Sequence, residues 1–85
     1  MVRTAVVSSN IAAIGYEAAT KTLEVEFLPR NGRAALWQYC PVEQSVVDEM
    51  LKPGVSVGAI FHAMVKSDLA IERVDVTPSP VEGAA

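Results

Sequence analysis

The side chains with the clearest chemical potential in this 85-residue chain are a lone histidine, a lone cysteine, two alternating glutamates and two alternating aromatics. His62 could shuttle a proton or bind a metal. A catalytic imidazole needs an orienting partner, however, and a zinc site needs several ligands. Cys40 precedes Pro41 and a predicted helix whose N-terminus could stabilise a thiolate. Cysteine is also among the most frequently buried residue types, which favours a packing role. Glu24 and Glu26 lie about 7 Å apart along an extended chain, within the range of paired-carboxylate hydrolysis. Alternating glutamates on the wet face of a half-buried strand are the commoner arrangement. No glycine-rich phosphate loop, hydrolase elbow or metal-binding repeat is present. The reading is therefore non-enzymatic, with no catalytic residue, cofactor or metal assigned.

Trp37 and Tyr39 carry more weight. Two aromatics on one strand face form a platform for bases, sugars or apolar side chains, or else they cover a helix. Arg30, Arg33 and Lys66 could supply phosphate contacts beside such a platform. Gly58 and His62 complete the candidate binding surface; a glycine beside a helix start permits close approach of a backbone or an anion, or else serves simple packing.

Three segments must position these residues. In the first, Asn10 to Tyr16, entered from Thr4 to Val7, reads as a short apolar strand. Thr22 to Phe27 alternates strictly, with Leu23, Val25 and Phe27 on one face and Thr22, Glu24 and Glu26 on the other. Pro29-Arg30-Asn31-Gly32 reads as a turn, and Ala34 to Cys40 as a third strand in an antiparallel meander. In the second, Val46, Val47, Met50 and Leu51 have helical spacing, with Pro41, Glu43 and Gln44 suited to a first turn. Lys52-Pro53-Gly54 ends that helix. Ser56 can cap another, with Val57, Ile60, Phe61, Met64 and Val65 as its apolar stripe. Leu69 to Val76 fits a short terminal strand. The fold class is α+β, a three- to four-stranded antiparallel sheet with two helices on one face, forming a single domain over 1–76. The third segment, 77–85, is a Pro/Gly/Ala-rich tail, mobile in a free monomer.

Composition narrows the function. Half of the residues (51%) are hydrophobic and 20% are charged, too apolar for a disordered chain. The net charge of −3 argues against an indiscriminate nucleic-acid binder. One cysteine excludes an internal disulfide and fits a reducing, cytoplasmic setting. A domain this small buries only about 60% of its unfolded surface, so apolar surplus should remain outside and mark an interaction site. The surplus lies in Ala5-Val6-Val7, Ala34-Ala35 and Ala59/Ala63/Met64, and Val6, Val7, Ala63 and Met64 are the candidate assembly contacts.

Ser8-Ser9-Asn10-Ile11-Ala12-Ala13-Ile14-Gly15-Tyr16, followed by Thr22 to Phe27, resembles the KTSC domain, found at the C-terminus of some lysyl-tRNA synthetases and as stand-alone bacterial and phage proteins. The family's Tyr-x-Tyr stands here as Trp37-Gln38-Tyr39, and its Ser-x-Gly-x-x-Phe as Ser56 to Phe61. The resemblance covers about Ser8 to Lys66. It implies the fold above, and the synthetase association implies RNA binding. The family's polar and basic run after that Phe is here His62-Ala63-Met64-Val65-Lys66, in which only Lys66 keeps a positive charge.

Two functions are therefore expected. The first is a protein-interaction or assembly module whose partner is another protein or copies of itself, in the bacterial cytoplasm or as a small component of a phage particle. The second is a module binding RNA or single-stranded nucleic acid on the aromatic strand face. No membrane partner is expected.

Overall fold

A computed structural model of the chain describes residues 2–30 and 32–77. Five antiparallel strands lie in chain order across one sheet: β1 (Arg3–Ala5), β2 (Ile11–Glu17), β3 (Thr22–Arg30), β4 (Arg33–Cys40) and β5 (Glu72–Asp75). Helix α1 (Gln44–Met50) and helix α2 (Val57–Phe61) complete the α+β architecture, and α2 runs directly into a π-turn over His62–Lys66.

Alternation in β3 sets the layers. Leu23, Val25 and Phe27 pair across β4 with Tyr39, Trp37 and Ala35, and this face packs against the helices. Ile11 and Ile14 are three residues apart, and a regular strand would put them on opposite faces. A register shift between Ile11 and Ala13 lets both reach the core. Val47 and Met50 of α1, Val57 and Phe61 of α2, and Val65 of the π-turn complete it. Phe61 sits at the centre, 1% exposed, with edge-to-face contacts to Phe27 at 5.9 Å and Tyr39 at 5.1 Å.

The sheet has five strands, not three or four. The terminal strand expected over Leu69 to Val76 forms at Glu72–Asp75, and the additional one is β1. Three exposed residues give almost no periodic signal, and β1 exists because it pairs with Ala13 to Gly15. The Pro29–Gly32 turn is also shorter than its sequence implied. Arg30 pairs with Arg33, leaving a two-residue loop in which Gly32 has φ +75°, while Pro29 stands inside β3 at a register irregularity. Helix α1 starts three residues after Pro41, and the Cys40–Pro41 peptide is cis. Thr77, assigned to the tail by sequence, is tied to β4. Its hydroxyl oxygen accepts from the Leu36 N–H at 2.9 Å. Residues 78–85 of the expected tail lie outside the described residues, as does Asn31.

Candidate functional site

The outward face of the sheet carries a charged row. Register aligns Arg3, Gly15, Glu24 and Gln38 across four strands. Arg3 and Glu24 are two strands apart, roughly 10 Å between backbones. With no side chain on Gly15, the Arg3 guanidinium reaches across to the Glu24 carboxylate, and its Nε donates to Glu26 Oε1 at 3.2 Å. Gln38 Nε2 donates to the other Glu24 oxygen at 3.0 Å. Glu24 is thus only 6% exposed, where sequence placed it on a wet face. The two carboxylates share one cation, the Arg3 guanidinium.

Burial pushes the Glu24 carboxyl up, but hydrogen bonds from Gln38 and Arg3 and the Arg3 charge outweigh it and hold it below the usual range. A depressed folded value stabilises the fold above the ordinary carboxylate pKa of about 4.3, and that stability is lost as pH falls through the folded value. Glu24→Gln should therefore cost about 1 kcal/mol at pH 7, because Arg3 is partly exposed and screened. Thermal melts from pH 7 to 3 should show this difference closing in acid. Parallel curves for the two proteins would remove the bridge from the stability of the sheet.

Cys40 is half-buried, and its thiol donates to the Thr20 carbonyl at 3.2 Å. His62 is exposed beside the Phe61 ring, at 6.4 Å between centroids. Among the described residues no three His, Cys, Asp or Glu side chains gather to hold a metal ion. Nor is any helix among them long and apolar enough to cross a membrane.

The aromatic platform is not formed. Tyr39 is 4% exposed and packs against Phe61, so it cannot stack on a ligand. Trp37 is half-buried under the Arg73 guanidinium, 5.8 Å from the ring centroid. Both rings face the helices because they pair with Leu23 and Val25. Gly58 likewise faces protein. A Cβ there would sit 3.2 Å from Asn10 Oδ1 and 3.6 Å from Ser8 Oγ. The close approach anticipated at this glycine is made by the chain's own asparagine.

Two of the surface depressions bear on the remaining candidates. A cleft of about 340 Å³ at the hairpin end of β3 and β4 is lined by Ser9, Asn10, Phe27 to Pro29, Arg33, Ala35 and Lys66. It unites two of the predicted basic residues, Arg33 and Lys66. Arg30 is the register partner of Arg33. Ser9 and Asn10 were not singled out for this role, although an Ser-Ser-Asn run before an apolar strand signals a built loop. Ser8 Oγ accepts from the Asn10 and Ile11 N–H groups, both at 3.3 Å, and its hydroxyl donates to Asn10 Oδ1 at 3.1 Å.

The second depression, about 200 Å³, lies beyond the other end of β4. Pro41, Val42, Val46, Met64, Ala70 and Ile71 wall it, with Glu43 and Asp68 at the rim. Met64 was expected in the α2 core stripe as well as at an assembly contact. It is 46% exposed, whereas Val65 of the same stripe is buried in the core. Of the other assembly candidates, Val6 packs against the core, whereas Val7 and Ala63 are exposed.

Comparison with known proteins agrees with this architecture. A KTSC domain protein from Yersinia pestis, solved by crystallography, superposes with a TM-score of 0.73 at 25% identity, covering 88% of this chain and 96% of that one. No curated protein matches the sequence. The KTSC domain family matches residues 7–68, all of β2 through the π-turn and most of the 85 residues. The chain belongs to the KTSC domain family.

Proposed function

We propose that the protein is a non-enzymatic assembly module that binds copies of itself through the Met64 groove. The observation that carries this reading is Leu69, an apolar side chain 99% exposed, flanked in sequence by two residues that line the groove. A two-fold contact is self-complementary, so a Leu69 so close to its own groove can enter the groove of a second copy while receiving that copy's Leu69. Each buried leucine contributes about 1.5–3 kcal/mol. Of the two rim carboxylates, Glu43 is paired with Lys21 at 2.9 Å, and Asp68 Oδ1 accepts from the Ala70 N–H at 2.9 Å. A small component of a bacteriophage particle is the setting proposed, on the strength of stand-alone phage members of the family.

Sedimentation equilibrium over a concentration series tests this. Average mass should rise with concentration, and Leu69→Asp and Met64→Lys should each weaken association by more than about tenfold. Both positions are exposed, so unchanged far-UV circular dichroism is expected. A chain that stays monomeric throughout would exclude the contact.

A further inference from the structure

The charge distribution singles out one end of the sheet. The chain has seven Lys and Arg residues. Arg3, Lys21 and Lys52 are each bound to a carboxylate, and Arg73 lies over Trp37. Arg33 and Lys66 make no ion pair among the described residues, and they line the same cleft. Among the described residues no carboxylate lines it with them. Arg33 stands at the start of β4, in backbone register with the last residue of β3. In a protein of net charge −3, Arg33 and Lys66 are thus two cations at one place with no ion-pair partner among the described residues.

The other walls define what can enter. Phe27, Leu28, Pro29 and Ala35 give an apolar side, and Ser9 and Asn10 a polar one. Asn10 is held by Ser8 and pressed against Gly58, so its position is fixed before any ligand arrives. Lys66 ends the π-turn, where the Ser67 N–H donates to the His62 carbonyl at 3.2 Å, and such turns recur at functional sites. A volume of about 340 Å³ lies at the lower end of small-ligand pockets, about 300–1,000 Å³. No stripe of unpaired cations continues from the cleft across the described surface, as a nucleic-acid strand would need.

We infer that this cleft binds a small phosphate-bearing ligand of nucleoside monophosphate size, with the phosphate between Arg33 and Lys66 and the apolar part against Phe27 and Leu28. The site is separate from the Met64 groove, so loss of self-association would leave it intact.

Amide chemical-shift titrations of the full chain at low salt, with adenosine 5′-monophosphate, inorganic phosphate, adenosine and a single-stranded oligonucleotide, form the test. Saturable shifts at Asn10, Arg33 and Lys66 are expected with the monophosphate, weaker ones with phosphate, and none with adenosine. Arg33→Gln and Lys66→Gln should each weaken binding about tenfold. Arg33→Glu with Lys66→Glu should abolish it while the remaining spectrum stays native, since both side chains are exposed. Unchanged spectra with the monophosphate, or equal binding by the double variant, would overturn the assignment. So would an oligonucleotide that binds more than tenfold tighter and shifts residues well outside the cleft.

Discussion

Phe61→Ala is expected to remove about 3–5 kcal/mol of stability, the cost of truncating a fully buried aromatic. Two edge-to-face contacts, to Phe27 and Tyr39, are lost with the ring, each worth about 0.5–1.5 kcal/mol beyond area. A domain of 85 residues has a total of about 4–13 kcal/mol to lose. The variant should thus be largely unfolded at 37 °C or melt well below the parent, by about 4–8 °C per kcal/mol. Phe61→Leu keeps most of the volume and should cost far less. A urea midpoint for Phe61→Ala within error of the parent would mean that α2 does not anchor the helical layer.

Gly58→Val is the second large effect, at about 1–3 kcal/mol. In an open helix, replacing glycine by alanine gains about 1 kcal/mol. At Gly58 that gain is opposed, because Asn10 Oδ1 already lies 3.2 Å from the Cβ position and is held there by Ser8. Valine adds two methyl groups at that crowded point. The β2 entry loop must move off α2, or α2 off the sheet. Asn10→Ala empties the space, so Gly58→Val should be far milder in an Asn10→Ala background. This interaction energy is read from a double-mutant cycle in urea. Additive effects would show that the loop and helix do not touch in solution.

The alternation of Leu23, Val25 and Phe27 specified the central strand and its buried face, and the spacing of Val47, Met50, Val57 and Phe61 specified the helical layer. Those signals survive because one face of each element is buried in the same core. What escaped the sequence depends on register. Arg3 to Ala5 becomes a strand only through its pairing with β2, and Glu24 is buried only because Gly15 opens a path for Arg3. Tyr39 looked as free as Trp37 because alternation shows a shared face without showing what covers it. Arg33 and Lys66 are thirty-three positions apart in sequence, and nothing short of the tertiary fold places them in one cleft.

The sheet order has a kinetic consequence. Every strand is hydrogen-bonded to its neighbour in the chain, so no long crossover must close before pairing begins. Formation can zip outward from the β3–β4 hairpin, one short connection at a time, except for the excursion through both helices before β5. The β1–β2 and β2–β3 connections are short, and the small loop-closure cost favours rapid pairing there. The transient exposure of unpaired strand edges is correspondingly brief, which limits misassociation in a chain this apolar.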